Sequence, residues 1–200
     1  MMVAIKTEPI KRVDPRVNRT RKLLEQAFLE LMSEKGFQDI TIQDITERAT
    51  VNRATFYAHF EDKYDLLDSF IRRQFHEVLA EKVPLAPGHT IERLRQIIVT
   101  VMEYLTQIHR QCVRPDHQVE PMFESAVQEE LMKYLLDWFA ITPPSLIPKG
   151  VNPQTASNVW SWAIFGTAIQ WAHEVQKVSA EEIAREIAVV LTAGCTSDSI

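Results

Sequence analysis

The chain has 200 residues, 46% hydrophobic and 24% charged, with a mean hydropathy of −0.15, the composition of an ordinary globular protein. Its five glycines and ten prolines, with no long polar tract, exclude extended disorder away from the termini, and no apolar run approaches the length of a membrane span. Cys112 and Cys195 are too few for a disulfide framework and read as two buried thiols rather than a redox pair, while the net charge of −5 is unevenly spread.

The unevenness lies at the start. Residues 1–22 carry Lys6, Lys11, Arg12, Arg16, Arg19, Arg21 and Lys22 against only Glu8 and Asp14, a local excess of +5 on an otherwise acidic protein. Residues 1–13 are expected to form a basic, flexible arm. The opening MMVAIKTEPIKRV lacks the apolar core of a signal peptide, which places the protein in the cytoplasm.

Asp14-Pro15 reads as a helix start, with the carboxylate as cap and proline in the first turn, where its missing amide costs nothing. Leu24, Ala27, Phe28, Leu31 and Met32 follow at helical spacing, and Gly36 is expected to end the helix in the left-handed conformation. Phe37 and Ile40 then tuck the connection into the core.

Thr41 to Lys63 reads as two short helices and a tight corner. Thr41 caps the first helix, with Asp44 three residues on. Ile42, Ile45 and Ala49 fall on one face, leaving Gln43, Asp44, Thr46, Glu47 and Arg48 outside. Val51 plugs the corner and Asn52 caps a second helix of about two turns, too short to be stable alone and therefore held by its neighbours. Phe56 and Phe60 lie on its inner face, and Arg53, Thr55, Tyr57 and His59 on others. Such helix pairs occur in many all-helical proteins. Yet a short braced helix carrying a guanidinium, hydroxyls and a phenol is also what a DNA major groove accepts.

Glu61-Asp62 caps a fourth helix from about Lys63 to Glu81, which stops before Pro84 and Pro87. Further helices follow: Thr90 to about His109, Glu120 to Ala140, Gln154 to about Lys177, and Ala180 to about Ala193 behind the capping box Ser179-Ala-Glu-Glu182. The four prolines of ITPPSLIPKGVNP mark a loop. With no strand pattern and no repeat, the chain is expected to be all-α with about nine helices. Its parts are the arm, a helix-turn-helix domain at 14–62, a connecting helix at 63–82, and a larger helical domain at 83–200.

One string is specific. Gly36-Phe37, Thr41-Ile42-Gln43-Asp44-Ile45, Ala49, Val51, Thr55-Phe56-Tyr57, His59-Phe60 and Lys63 together closely resemble the tetracycline-repressor (TetR) family of bacterial one-component transcription regulators, over roughly residues 14–70. The family usually has glycine at the corner where this chain has Thr50; a β-branched residue disfavours positive φ, so a slightly altered corner is expected.

The resemblance implies that the second helix of the corner lies in the major groove of a double-stranded operator. Carried over by position, Thr41 and Gln43 meet the DNA backbone, while Asn52, Arg53 and Thr55 reach base edges. Arg53 is the foremost candidate for sequence readout, since a guanidinium pairs with guanine O6 and N7 at once. Tyr57, His59 and Lys63 are assigned phosphates; Arg16, Arg19 and Arg21 either clamp phosphates or enter the minor groove, or else form a charged first helical turn.

The rest of the chain is expected to pair and to sense. The resemblance implies a homodimer through a two-fold four-helix interface, here with Trp160, Ile164, Trp171, Ile183, Ile187, Val190 and Leu191, reading a palindrome of half-sites spaced by whole DNA turns. It also implies a small-molecule effector. Met102, Phe123, Tyr134, Trp138, Trp162 and Phe165 are candidates to line its site, with Gln74, His76, His109 and His173 as polar groups able to orient it. Rings and methionines suggest an apolar or aromatic ligand.

Two other classes stay open. His109, Cys112 and His117 have the spacing H-x2-C-x4-H of a small metal-dependent enzyme, but Pro115 breaks the helix between them and no second cysteine or acidic pair accompanies them. No nucleophile elbow, phosphate loop or dinucleotide fingerprint is present, so no cofactor and no catalytic activity are expected. A helical protein-binding scaffold gives no reason to aim Arg53, Tyr57 and Lys63 together.

Overall fold

The computed structural model describes residues 15–86, 91–111, 119–141, 150–173 and 178–193, with the side chains of Pro15, Arg16, and residues 109–111 excepted. Among the described residues the chain forms eight α-helices, one 3-10 turn and no strand, in line with the all-α expectation of about nine helices. Residue contacts divide the chain into two units, Met1–Leu67 and Asp68–Ile200.

The first unit begins with α1, Pro15–Glu34, whose Leu24, Ala27, Phe28 and Leu31 are buried. Its end corrects one expectation. Gly36 is extended, with φ −64° and ψ 155°, and caps the 3-10 turn Phe37–Asp39 instead of closing α1 in the left-handed region. Phe37 is the apolar reason for that turn: its ring meets Phe28 edge-on at 6.0 Å and Tyr64 at 5.0 Å.

α2, Ile42–Arg48, starts with a full capping box in which Thr41 Oγ1 accepts from the Asp44 amide and Asp44 accepts from the Thr41 amide. Ile45 is fully buried, and so, against expectation, is Thr46. Its hydroxyl donates to the Gln43 carbonyl at 3.0 Å, which lets a threonine sit on the inner face at little cost. Arg48 braces α2 against α1, forking over Glu34 at 2.8 Å through each terminal nitrogen.

At the corner Thr50 keeps the left-handed conformation, φ 55°, so the threonine does not move the turn out of the region that glycine would favour. The amide of Val51 closes onto the Thr46 carbonyl at 3.0 Å. A non-glycine residue pays roughly 1–2 kcal/mol there. α3, Arg53–Tyr57, is five residues long and hangs on two devices: the Asn52 cap, whose side-chain oxygen accepts from the Thr55 amide at 2.7 Å, and the buried rings of Phe56 and Phe60.

α4, Lys63–Lys82, starts behind Asp62, whose carboxylate accepts from the Tyr64 and Asp65 amides. It passes from the first unit into the second, which also contains α5 (Ile91–Gln111), α6 (Val119–Ala140), α7 (Pro153–His173) and α8 (Ala180–Thr192). α7 lies at the middle of that packing, against α6 on one side and α5 on the other, while α8 packs mainly on α5. α8 opens at Ser179, whose hydroxyl accepts from the Glu182 amide. Of α7 only the part up to His173 is described, so the expected extension to Lys177 lies outside the described residues, as do the arm, Cys112 and Cys195.

Candidate nucleic-acid interface

In the first unit α3 presents Asn52, Arg53, Ala54, Tyr57 and Ala58 to solvent, with Thr55 and His59 half-exposed at its flanks. Phe56 faces the other way and is fully buried. A five-residue helix with one buried anchor has little choice of orientation, so its outer face is held as a fixed surface.

Which of these groups can bond to anything new follows from what each already holds. Arg53 has no carboxylate partner among the described residues; its terminal nitrogen donates to the Tyr57 hydroxyl at 3.3 Å and its guanidinium carbon lies 5.7 Å over the Tyr57 ring. The contrast with other arginines is sharp: Arg48, Arg72, Arg73 and Arg95 are each closed onto acidic side chains at 2.7–3.3 Å. Asn52 uses its side-chain oxygen on the Thr55 amide and hydroxyl, which leaves its amide nitrogen to donate and the Thr55 oxygen to accept. Gln43 donates to Glu47 at 2.8 Å and keeps its own oxygen. Thr41 has both hydroxyl roles taken inside the capping box.

Lys63 is put to a use the sequence did not suggest. Its ammonium donates to the backbone carbonyls of Phe37, Gln38 and Ile40 at 3.0, 3.1 and 2.9 Å, and lies 4.6 Å over the Phe37 ring. An ammonium has three protons, and here three acceptors take them. Lys63 is therefore a latch that ties the start of α4 to the turn before α2, not a free phosphate contact. Arg21 is also engaged, 3.5 Å from the buried Glu25 and 5.0 Å over the Phe60 ring. Arg19 is exposed, and the side chain of Arg16 lies outside the described residues.

On α2 of the same unit, Asp44 is held in its charged form by its neighbours. The Lys35 ammonium at 2.8 Å, then the Thr41 hydroxyl and amide, hold its carboxyl well below the usual carboxylate range. Arg48, hydrogen-bonded to Glu34, likewise lowers that carboxyl, and Glu34 with Glu30 raises the guanidinium.

The residues expected to hold a ligand in the second unit are not one site. Met102, Tyr134, Trp138 and Phe165 are buried; Gln74 and Phe123 are half-buried; His76, Trp162 and His173 are exposed, Trp162 by 57%. Trp162 is thus a correction: α7 carries apolar side chains around most of its circumference, so spacing could not say which ring faced inward. A cleft of about 180 Å³ gathers His76, Ala80, Pro84, Leu85, Glu130, Tyr134 and Asp137, of which only His76 and Tyr134 were expected. Glu130, buried and paired with His76 Nδ1 at 2.8 Å, carries no sequence signal beyond its place on α6. Tyr134 donates its hydroxyl to the Val83 carbonyl, and burial pushes that phenol up. The side chain of His109, with Cys112 and His117, lies outside the described residues.

The expected pairing residues divide as well. Trp160 and Ile164 are buried inside the second unit and belong to its core, which corrects their assignment to a dimer surface. Trp171 is half-buried, its indole donating to the Val178 carbonyl at 3.2 Å. Ile183, Ile187 and Leu191 are half-buried on α8, and Val190 is 74% exposed. Three exposed apolar residues were not anticipated here: Val159 and Trp162 on α7, and Val189 on α8.

Comparison with known proteins gives these arrangements a context. Residues 23–70 match the family described as bacterial regulatory proteins, tetR family. The chain is 44% identical over 73 residues to the HTH-type transcriptional regulator YxbF of Bacillus subtilis (strain 168), a segment covering 36% of this chain and 19% of that one, so this chain spans about a fifth of that relative. It is 24% identical over 187 residues to the HTH-type transcriptional regulator AcrR of Shigella flexneri, covering 86% and 87% of the two chains. The solved structure of the transcriptional regulator FadR from Bacillus subtilis in complex with stearoyl-CoA has the same fold, with a TM-score of 0.53 and 17% identity over 86% of this chain and 98% of that one. No helix among the described residues is long and apolar enough to cross a membrane. The likeness to the tetR family of bacterial regulatory proteins thus rests on residues 23–70, which take in α2, α3 and the start of α4.

Proposed function

We propose that this protein is a sequence-specific DNA-binding transcriptional regulator of the bacterial cytoplasm, a homodimer that represses by occupying a palindromic operator and lets go when its C-terminal unit takes up a small molecule. The observation that carries the reading is the outer face of α3. A guanidinium with no carboxylate partner among the described residues, a phenol and an amide nitrogen sit there beside two exposed methyl groups, those of Ala54 and Ala58, on a helix whose other face is locked by Phe56. Arginine pairs with guanine and a methyl group packs on the thymine methyl, so this face can distinguish base pairs in the major groove.

For pairing, the reading leans on Val159, Trp162, Val189 and Val190, apolar and exposed on α7 and α8. A protein that leaves a tryptophan and three valines in water gains by burying them against a second copy. For sensing, it leans on the apolar interior of the second unit, where Met102, Trp138 and Phe165 lie, and on the half-buried Gln74 and Phe123. The FadR of like fold holds an acyl-CoA, which supports an apolar effector for this chain as well. Binding would release DNA if the ligand prefers the conformation that misplaces the two reading heads, and a few kcal/mol of preference is enough.

Gel-shift titration of genomic DNA fragments tests the reading. A regulator retards a small subset at nanomolar to sub-micromolar protein, with steep salt dependence. Equal weak retardation of every fragment, or none near 0.1 M salt, would sink it.

A further inference from the structure

We infer that Tyr57 is the positioning residue for Arg53: its ring and hydroxyl hold the guanidinium in the orientation that reads a base, so that Tyr57 sets sequence discrimination rather than gripping a phosphate. The inference rests on the DNA-reading function proposed above and adds to it a division of labour within α3.

Four residues separate the two side chains, one helical turn, the spacing at which neighbours on a helix surface meet. Arg53 donates to the Tyr57 hydroxyl at 3.3 Å and stacks with its guanidinium carbon 5.7 Å from the ring centroid, inside the range of a cation–π contact. Tyr57 is itself fixed from below, its ring meeting the buried Phe56 edge-on at 5.6 Å and 87°. The other exposed side chains next to it on α3, Ala54 and Ala58, are single methyl groups and offer Arg53 nothing to lean on. No acidic side chain among the described residues draws the guanidinium away. Arginine carries large rotamer entropy, which is lost when it docks on guanine with two parallel bonds. A ring that already restricts it lowers that loss, and the gain goes to the base that needs the restricted geometry.

A phosphate contact and a positioning contact leave different signatures. Removing a phosphate contact weakens all sequences alike. Removing a positioning contact costs most on the correct base.

The test is a fluorescence-anisotropy titration of the full-length protein on its gel-selected DNA fragment and on the same fragment with single guanines replaced, at several salt concentrations, for wild type, Tyr57→Phe, Tyr57→Leu, Arg53→Ala and the Arg53→Ala/Tyr57→Leu pair. Expected are a loss of roughly tenfold in discrimination at one guanine with Tyr57→Leu, about the same loss at the same guanine with Arg53→Ala, and little further loss in the double variant. Tyr57→Phe keeps the ring face and should lose only two- to threefold. Thermal melts monitored by circular dichroism separate these effects from damage to the fold, and Tyr57→Phe preserves the packing on Phe56 if Tyr57→Leu does not. Equal weakening on intact and altered fragments, or additive losses in the double variant, overturns the inference while leaving the DNA-reading function standing. A wild type that selects no fragment overturns both.

Discussion

At the scale of single residues, the cations of the first unit divide by what already satisfies them. Lys63 has given all its protons to three backbone carbonyls, whereas Arg53 faces water with only a tyrosine beside it. Lys63→Met should therefore lower stability by about 2 kcal/mol, since it strands part-buried carbonyls. It should leave the slope of log Kd against log salt unchanged; a slope smaller by about 1 would instead restore the lysine to the phosphates. Thr50 offers a stability test of the opposite sign. At φ 55° it bears a strain that glycine does not, so Thr50→Gly should raise stability by about 1 kcal/mol in a denaturant titration, with a loss of stability counting against the strained corner. Both residues show what the sequence could and could not tell. The unusual threonine was visible as a departure from a familiar string, but the altered corner expected from it is not found, since Thr50 keeps the left-handed φ of 55°. The three hydrogen bonds of Lys63 join residues 23–26 positions apart, and no local pattern announces them.

At the scale of elements, the caps and breaks were readable because they are local chemistry: Pro15 opens the first turn of α1 as expected, and Thr41 before α2, Asn52 before α3, Asp62 before α4 and Ser179 before α8 stand where the expected cap falls. The inward faces of α6 and α7 were not, because those helices are apolar nearly all round; hence Trp162 was placed inside and Trp160 at a surface, and the structure reverses both. Gly36 was misread for a related reason, since a glycine after a helix suggests a left-handed end and only the anchoring of Phe37 selects the extended turn. The α2 capping box also makes a pH prediction. Asp44 has its carboxyl held low, so it stabilises the folded state fully above the ordinary carboxylate value of 3.8 and loses that contribution as pH falls from there through its depressed folded value. Melting temperature of the wild type should fall below about pH 4, and the slope should be shallower in Asp44→Asn, which cannot titrate. Identical acid slopes for the two proteins would show that Lys35 and Thr41 do not hold this group as described.

At the scale of the whole molecule, the proposed function asks an acidic chain to bind DNA as a pair. The net charge of −5 hides a basic start, and four of the apolar residues left in water, Val159, Trp162, Val189 and Val190, lie on the last two helices. Val190→Glu places a charge on that surface where it costs nothing in a lone protomer. Sedimentation should show the dimer dissociation constant rising at least about a hundredfold, near 3 kcal/mol, with operator affinity falling alongside; an unchanged dimer would put the interface elsewhere.

The central claim is that α3 reads base sequence through Arg53. Its most direct test is recovery and sequencing of genomic DNA fragments bound by the purified protein at moderate salt, in parallel with Arg53→Ala. The account predicts that the wild type enriches one short palindrome with half-sites about a helical turn apart, and that the variant still binds DNA but loses or blurs preference at one base of each half-site. A wild type that enriches no sequence, or a variant that enriches the same palindrome with undiminished preference, would contradict it.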